Sequence, residues 1–372
     1  MNDQRNALHW FTINNLESVD SPALVVYKSR VQENIRHLLD MVPNVSVLRP
    51  HIKTNKMAEV CQLMMKAGIQ KFKCATIAEA EMLGMIQAPD VLIAYQPVGP
   101  KINRFLQLVQ TYPATTFSCL TDNETTAAQI AGKFLANNKT ALVYLDINNG
   151  MNRTGIKAEA AFKLFETCTL LPGLNPVGLH GYDGHIRDTD PVIRQQTSDD
   201  AFQQLDILSK KISDAFQRSC QIVTGGSPSF PTHAKRKDIE CSPGTFVFWD
   251  WGYKNQFPDE PFDYAALVIT RVISVIDSNT ICTDLGHKAV AAENPLPRVY
   301  FLNAPELVPV SQSEEHLVLH TSGHHYQPGD VLYGVPVHIC PTVALYEEAH
   351  VVEENQVTSS WKIIARNRKI NI

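Results

Sequence analysis

Short β-branched runs alternate with longer helical patterns through residues 45–250, and this alternation constrains the fold more than any other feature. Strands that are each followed by a helix run parallel, and eight of them predict a (β/α)8 TIM barrel. The predicted strands are "VSVLRPHI" (45–52), "KFKCATI" (71–77), "DVLIAYQ" (90–96), "TTFSCL" (115–120), "ALVYLDI" (141–147), "PVGLHGY" (176–182), "CQIVTGG" (220–226) and "GTFVFWD" (244–250).

Two of the intervening segments carry recognisable helix ends. "NKMAEVCQLMMKAG" closes on Gly68, and "TDNETTAAQIAGKFLANN" opens with Thr121 and Asp122 as candidate N-caps. A doubly wound open sheet is the alternative. No G-x-G-x-x-G follows the first predicted strand, so that alternative lacks its phosphate-binding turn.

The pattern changes after about residue 255. Strand-like segments follow one another closely, among them "YAALVITRVISVI", "TICTDLG", "HLVLHTS", "DVLYGVPVHIC" and "WKIIARNRKINI". We therefore predict an α/β barrel over residues 21–255 and an all-β domain over residues 256–372, with residues 1–20 packing on the second domain. "PALVVYKS" (22–29) is a further predicted strand ahead of the barrel set.

Composition narrows the class of protein. The net charge of −5 gives no indication of nucleic-acid or anionic-membrane binding. The first twenty residues lack the apolar run of a signal peptide, and no stretch is apolar enough to span a bilayer. The eight cysteines include no C-x-x-C pair, which favours a reduced, cytoplasmic setting over a disulfide framework.

"VSVLRPHIKTNK" (45–56) ends an apolar run with Arg49, His51, Lys53 and Lys56. Alternation along a strand would place the first three of these on one face and carry them to the barrel rim, where active sites lie. A lysine among such neighbours is easier to deprotonate and is then a better nucleophile for an aldehyde. Ordinary surface cations at a strand end are the alternative.

Other predicted strands also end in polar or glycine-rich segments. "TGGSPS" (224–229) and "SPGT" (242–245) offer backbone N–H groups that could cradle a phosphate, although such segments are also common as plain turns. "DINNGMNRTG" (146–155) and "GLHGYDGH" (178–185) bring further candidates to the same rim. Those candidates are Arg153, His180, Tyr182 and His185.

"VHIC" (337–340) reads as the end of a strand, which would place His338 and Cys340 on one face. An imidazole nitrogen and a thiolate suit zinc. Two ligands are too few for a closed structural site, so a bound ion would keep positions open to water or substrate. A buried cysteine beside a histidine without any metal is the alternative.

Together these segments resemble the D-threonine aldolase and D-serine dehydratase group of fold-type III pyridoxal-phosphate (PLP) enzymes. These enzymes join an alanine-racemase-like barrel to a C-terminal β domain. "RPHIKTNK" is similar to the group's lysine segment, which implies that Lys53 holds PLP as a Schiff base. "MNRTG" is similar to the loop whose arginine contacts the cofactor's phenolic oxygen, here Arg153, and "GYDGH" implies that Tyr182 lies against the cofactor.

The resemblance also implies a phosphate site and a metal site. The implied phosphate-binding residues are Gly225, Gly226, Ser227, Gly244 and Thr245. "GDVLYGVPVHICPT" implies His338 and Cys340 as ligands of a divalent metal, zinc or alternatively Mn²⁺ or Mg²⁺. Phe246 departs from the tyrosine that the group often has there, and Cys340 departs from the aspartate of metal-dependent D-threonine aldolases.

The implied function is a metal-assisted lyase that acts on D-β-hydroxy amino acids. Retro-aldol cleavage to glycine and an aldehyde is favoured over a D-serine-type dehydration to a 2-oxo acid and ammonia, and an amino-acid racemase is the second alternative. His185 and His180 are candidate general bases, and Lys53 is the candidate for removing the Cα proton. The resemblance further implies a homodimer.

Overall fold

The structure, a computed structural model, describes residues 9–372. Within these residues the chain forms two compact units. One comprises Arg36–Phe246 with Ala365–Ile372, and the other comprises Val247–Ile364 with the described residues up to Ile35. The domain boundaries 21–255 and 256–372 stay a prediction. Residues 1–8 of the predicted N-terminal contribution lie outside the described residues.

The first unit is built on a seven-stranded parallel sheet in which each strand pairs with the next along the chain. Its strands are β2 (Lys71–Cys74), β3 (Asp90–Ile93), β4 (Thr116–Thr121), β5 (Ala141–Asp146), β6 (Leu174–Gly181), β7 (Gln221–Thr224) and β8 (Ile239–Cys241). Two parallel bridges, Leu48 to Cys241 and His51 to Lys73, carry residues 48–51 between β8 and β2. The ring is thereby closed, and the predicted alanine-racemase-like barrel is confirmed.

Helices follow the barrel strands, as the alternation predicts. They are α2 (Ala58–Lys66), α3 (Ile77–Met85), α4 (Pro100–Thr111), α5 (Glu124–Leu135), α6 (Ala158–Leu170), α7 (Pro191–Phe216) and α8 (Phe230–His233); α1 (Lys28–Asp40) precedes them. Gly68 takes a φ of +96° just after α2, so the predicted stop there is confirmed. The N-cap of α5 is Asn123, which accepts a hydrogen bond from the Thr126 N–H, rather than Thr121 or Asp122.

Two of the predicted barrel strands are wrong. Val45–Val47 is a 3-10 helix capped by the Asn44 side chain, and the following residues make single bridges rather than a continuous strand. Thr245–Val247 is also a 3-10 helix, although "GTFVFWD" reads as a strand. The eighth strand is instead the short β8. Its Glu240 interrupts the apolar pattern and forms a buried ion pair with Arg49.

The second unit is built on a mixed sheet. Its strands are β1 (Ala23–Tyr27), β9 (Ala266–Asp277), β10 (Thr280–Thr283), β11 (Val299–Phe301), β12 (Val308–Gln312), β13 (Leu317–His320), β14 (Val331–Pro336), β15 (Glu348–Glu353) and β16 (Gln356–Lys362). Strand β1 falls within the predicted barrel range, yet it pairs antiparallel with β9 and parallel with β15. The same unit contains α9 (Trp251–Gln256), α10 (Ile339–Val343) and the 3-10 helix Leu16–Ser18. A last 3-10 helix, Ile364–Arg366, begins at the final residue of this unit.

The end of the chain departs from its predicted strand. "WKIIARNRKINI" contributes its first two residues to β16 and then turns into the 3-10 helix Ile364–Arg366. Across residues 9–372, the helices are all too short or too polar to cross a bilayer.

Candidate active site at the carboxyl ends of the barrel strands

A cavity of about 250 Å³, called the rim cavity below, opens where the barrel strands end. This is the end of a barrel at which catalytic residues collect. Its lining residues are His51, Lys53, Lys73, Ala75, Ala94, Tyr95, Arg153, Thr154, His180 and Tyr182. The barrel thus brings together Lys53, Arg153, His180 and Tyr182, four of the residues singled out in the sequence.

The basic cluster around Lys53 differs from its prediction. Arg49 is 1% exposed and does not join the lysine, because its guanidinium pairs with Asp90 and Glu240 at 2.6 and 2.5 Å. Lys56 pairs with the buried Glu79. His51 accepts a hydrogen bond from the Lys53 N–H through Nδ1 at 3.2 Å.

His51 carries no charge at neutral pH. Its burial, followed by the positive charges of Lys53 and Lys73, holds the pKa of the imidazole well below the ordinary value. Its Nδ1 lone pair is already engaged by the Lys53 N–H, so the ring fixes the backbone that carries Lys53.

The ring of Tyr182 lies among three basic side chains. Its centroid is 4.8 Å from Arg153 Cζ, 5.6 Å from Lys73 Nζ and 5.8 Å from Lys53 Nζ. Cations near the face of an aromatic ring are attracted by its quadrupole. Tyr182 therefore marks the point where the three side chains converge.

Lys73 and His180 form one wall of the rim cavity, and Asp146 continues their hydrogen-bonded chain of buried groups behind it. His180 Nδ1 lies 2.7 Å from Asp146 Oδ1, and its Nε2 lies 3.4 Å from Lys73 Nζ. Burial lowers the pKa of His180, so the ring is neutral. A neutral ring that donates from Nδ1 to Asp146 must accept at Nε2, which leaves Lys73 as the donor.

Burial and hydrogen bonding together set the charges of this hydrogen-bonded chain. Burial, with a smaller contribution from the charge of Lys53, lowers the pKa of Lys73 to about 7. Burial alone would raise the pKa of Asp146, but the hydrogen bond from His180 holds it below its ordinary value. The hydrogen-bonded chain thus combines a carboxylate, a neutral imidazole and an amine that exchanges protons near neutral pH.

Two turns after β7 and β8 contain the predicted phosphate-binding residues. The N–H groups of Gly244 and Thr245 converge on Ser227 Oγ at 3.2 and 3.1 Å. A Cβ on Gly226 would stand 3.1 Å from the Tyr182 ring, and one on Gly244 would stand 2.8 Å from the His51 carbonyl oxygen. The turns therefore pass directly against two residues of the rim cavity.

The donor set of these turns fits a phosphate group. N–H groups that converge on one oxygen form the kind of nest that binds anions. The Oγ of Ser242, in the same turn as Gly244, is buried and has no hydrogen-bond partner among residues 9–372. An amine at Lys53, a cation at Arg153 and an aromatic face at Tyr182 complete a set that fits a phosphorylated pyridine aldehyde.

A second buried pair supports the turn after β7. Asp183 accepts hydrogen bonds from His233 Nε2 at 2.7 Å and from Ser229 Oγ at 2.8 Å. The N–H of Gly226 donates to the same Ser229 Oγ at 3.2 Å. These contacts hold the glycine turn in place from behind.

His185 lies apart from the other candidates. It is exposed and does not line the rim cavity. Its ring lies so close to Gly150 that a Cβ on that glycine would stand 2.6 Å from Nε2. His185 therefore packs on the loop after β5 in this structure.

The predicted metal pair lies in the other unit. The prediction that His338 and Cys340 share a strand face is wrong, because β14 ends at Pro336 and His338 is the N-cap of α10. The two side chains nevertheless hydrogen-bond to each other, and His338 Nδ1 contacts Glu293 at 2.5 Å. Burial opposes a charge on His338, but Cys340 and Glu293 raise its pKa to about 9.

Within residues 9–372, no group of three or more histidine, cysteine, aspartate or glutamate side chains is placed to hold a metal ion. His338 and Cys340 are therefore two donors, and Glu293 lies against the first of them. A carboxylate on one ring nitrogen of a histidine commonly orients the other toward a metal.

Lys73 and Asp146 were missed in the sequence. Lys73 lies in "KFKCATI", where a lysine between the buried Phe72 and Cys74 is unusual for a strand covered on both faces. Asp146 ends an apolar strand in the same way. Charged residues at the carboxyl ends of barrel strands are thus the signal that identifies both.

Comparison with known proteins assigns both parts of the chain to families. Residues 26–249, more than half of the chain, match the family described as "Alanine racemase, N-terminal domain". Residues 265–352 match the family described as "Putative serine dehydratase domain".

Several characterised proteins are similar over most of the chain. A D-threonine aldolase from Arthrobacter sp is 25% identical over 364 residues, with 94% of each chain covered. A D-threo-3-hydroxyaspartate dehydratase from Delftia sp. (strain HT23) is 24% identical over 289 residues, with 76% of each chain covered. The crystal structure of D-threonine aldolase from Filomicrobium marinum superposes with a TM-score of 0.85 at 25% identity, covering 94% of this chain and 95% of that one.

Aldolases and dehydratases of D-hydroxy amino acids are lyases, so the prediction of an enzyme in this class is confirmed. The order of the two matched domains is the one that the sequence predicts, a barrel followed by a β domain. The chain belongs to the alanine racemase N-terminal domain family, in the group of D-threonine aldolase and D-serine dehydratase-like proteins.

Proposed function

We propose that the protein is a PLP-dependent lyase that cleaves the Cα–Cβ bond of D-β-hydroxy amino acids, giving glycine and an aldehyde. The observation that carries the proposal is the rim cavity, which holds the Lys53 amine beside Arg153 and Tyr182 and against two glycine turns. The D-threonine aldolase among the relatives is similar over 94% of this chain, which supports this reaction.

Each residue of the site has a part in this proposal. Lys53 holds the cofactor covalently, the turns with Gly225, Gly226, Ser227, Gly244 and Thr245 bind its phosphate, and Tyr182 and Arg153 lie along its ring. When bound, PLP supplies an electron sink that allows a bond to Cα to break heterolytically. The chain itself orients the substrate and moves its protons.

We further propose that His338 and Cys340 hold a divalent metal ion, zinc by their nitrogen and sulfur donors, with Mn²⁺ or Mg²⁺ as alternatives. Their mutual contact and the Glu293 carboxylate on His338 support a two-donor site. Such an ion supplies Lewis-acid polarisation of a bound hydroxyl group.

A dehydratase is the second candidate function. It is supported by the dehydratase among the relatives and by Cys340, because metal-dependent D-threonine aldolases have an aspartate at that position. The same cofactor site would then release hydroxide from Cβ and yield a 2-oxo acid and ammonia. Amino-acid racemisation is the third candidate, and it would need no metal.

Product analysis separates these reactions. The purified protein is incubated with D-threonine, D-serine and D-threo-3-hydroxyaspartate, before and after dialysis against EDTA. The proposal expects glycine and acetaldehyde from D-threonine, with the rate falling at least about tenfold on chelation and returning with Zn²⁺ or Mn²⁺.

His338→Ala should reproduce the loss of activity caused by chelation. His350→Ala, a change in β15 outside the proposed sites, should keep the wild-type activity and its sensitivity to EDTA. Pyruvate and ammonia from D-serine would support the dehydratase instead. L-allo-threonine appearing from D-threonine without glycine would support a racemase, because inversion at Cα leaves Cβ unchanged. A rate indifferent to EDTA would overturn the metal site.

We propose a cytoplasmic homodimer. Within residues 9–372 none of the eight cysteines forms a disulfide, which suits a reducing compartment. Analytical ultracentrifugation tests the assembly, since a species near twice the chain mass of 41.5 kDa is expected.

A further inference from the structure

The rim cavity contains a second amine, at Lys73. This side chain is 2% exposed and extends from β2, whereas Lys53 lies in the segment that closes the barrel ring. Both amines lie near the same Tyr182 ring, at 5.6 and 5.8 Å from its centroid. The proposed cofactor linkage uses one amine, so the other requires a separate account.

The contacts of Lys73 differ from those of a structural lysine. Its Nζ lies 3.4 Å from His180 Nε2, and among residues 9–372 it forms no salt bridge with a carboxylate. A buried ammonium without a carboxylate partner is costly, so buried lysines are usually paired. A neutral amine in this place avoids that cost and keeps its lone pair available.

We propose that Lys73 is the acid–base residue of the proposed lyase, that its uncharged amine accepts the proton of the substrate's β-hydroxyl group, and that Asp146 and His180 position it. This inference rests on the proposed function and extends it, since the sequence suggested His180, His185 and Lys53 as the bases.

The proton and electron changes balance without another reactant. The hydroxyl O–H bond breaks and its proton goes to the Lys73 nitrogen. The electron pair of that bond forms the aldehyde C=O bond as Cα–Cβ breaks, and the Cα–Cβ pair stays on the amino-acid fragment. The Lys73 ammonium then returns a proton to Cα, so that glycine leaves and the amine is neutral again.

The two histidines are less suited to this step. His180 has one ring nitrogen on Asp146 and the other on Lys73, so it acts through the lysine. His185 is exposed and outside the lining of the rim cavity. Of Lys73, His180 and Asp146, Lys73 is the one that lines the cavity and has a basic nitrogen able to form a further hydrogen bond.

The protonation behaviour of Lys73 suits the role. Burial lowers its pKa to about 7, and an acid–base residue is most effective when its pKa lies near the working pH. The negative charges of Asp183 and then Asp146 oppose this shift because they favour the ammonium form, whereas the charges of Lys53 and Arg49 add to it. Removing the charge of Asp146 should therefore lower the pKa of Lys73 further.

The first experiment titrates Lys73 directly. The full-length, cofactor-loaded protein is labelled with [13C]lysine, and the 13Cε resonance of each lysine is followed by NMR from pH 5.5 to 11. The signal absent from both the Lys73→Met and Lys73→Arg variants is assigned to Lys73. Its expected midpoint is near 7, against about 10.4 for ordinary lysines, and Asp146→Asn should lower it.

The second experiment measures the D-threonine cleavage rate against pH. In the wild type kcat should rise through about pH 7, as Lys73 loses its proton. In Lys73→Met kcat should fall by roughly 10²- to 10⁴-fold, the factor that such proton transfer contributes. Lys73→Arg keeps a charge but cannot accept a proton, so it should lose a similar factor.

Lys139→Met, a change at an exposed lysine after α5, is the matched control and should keep the wild-type rate and pH profile. A Lys73 midpoint near 10 would overturn the inference, whether or not the variants fold. Full activity in Lys73→Arg would overturn it as well, because charge alone would then suffice. A wild type inactive on every D-β-hydroxy amino acid overturns the proposed function too, whereas an active wild type with an active Lys73→Met overturns this inference alone.

Discussion

Lys73 illustrates how one buried amine couples stability to pH. An amine that is taken out of water without a carboxylate partner prefers its neutral form, and burial lowers its pKa to about 7. In an unfolded chain the same group titrates near 10.4. The unfolded state therefore binds more protons than the folded state between these pH values, and stability rises with pH across that window.

Lys73→Met should remove this pH-dependent penalty. At pH 6.5 the wild type carries almost the whole penalty, and by pH 9.5 most of it has gone. The stability of the variant relative to wild type should fall by on the order of 3 kcal/mol between these two pH values, since each pKa unit corresponds to about 1.4 kcal/mol.

Urea unfolding of both proteins at pH 6.5 and 9.5 gives this difference, and Lys139→Met serves as the control with no pH-dependent change. A Lys73→Met difference that is the same at both pH values would mean that Lys73 titrates alike in the folded and unfolded chain.

At the level of elements, the barrel is held by an ion-pair network near its closing segment. Arg49 precedes the bridge of His51 to β2, and its guanidinium reaches Asp90 at the start of β3 and Glu240 in β8. Lys71 in β2 also pairs with Glu240 at 2.5 Å. One buried arginine thus links the segment that closes the ring to strands on both sides.

Arg49→Met should destabilise the barrel by about 3–5 kcal/mol, because it leaves the buried Glu240 without its main counter-charge. Arg49→Met combined with Glu240→Gln should recover part of the loss. Arg36→Met, which removes an exposed pair with Asp40, should change stability by less than about 1 kcal/mol. Denaturant midpoints measure all three, and equal effects of Arg49→Met and Arg36→Met would contradict this role.

The elements also show what sequence patterns can predict. Apolar β-branched runs such as those of β3 and β5 identify buried parallel strands, and all of β2–β7 were predicted from them. Residues 45–52 and 244–250 are similarly rich in apolar and β-branched residues, yet Val45–Val47 and Thr245–Val247 form 3-10 helices, and the Asn44 side chain caps the first of them locally. Strand β8 has three residues, and the charged Glu240 at its centre breaks the apolar pattern of a buried strand. Glu240 is stable there because it pairs with Arg49, which is distant in sequence.

The candidate site divides in the same way. Lys53, Arg153 and Tyr182 lie in recognisable segments, and the barrel brings them together as those segments predict. Lys73 and Asp146 lie in plain strand sequences, and their meeting with His180 depends on the register of β2, β5 and β6 around the ring. That register follows from pairing between strands, which one strand's sequence does not contain.

At the scale of the whole molecule, the predicted strands are separated by helices before about residue 255 and closely spaced after it. This change in spacing correctly predicts two kinds of sheet. The parallel sheet arises from strands separated by helices, and the mixed sheet arises from closely spaced strands. Strand β1 is the exception, because its partners β9 and β15 lie more than two hundred residues further along the chain. Both kinds of sheet occur in the order of the two matched families.

The proposed reaction depends on which of the two amines in the rim cavity carries the cofactor. Borohydride reduction of the PLP-loaded protein, followed by proteolysis and mass spectrometry, identifies the modified residue. We predict that the reduced cofactor is found on Lys53 and that Lys53→Ala abolishes the label while Lys73→Met retains it. A label on Lys73, or a protein that takes up no cofactor at all, would contradict the account.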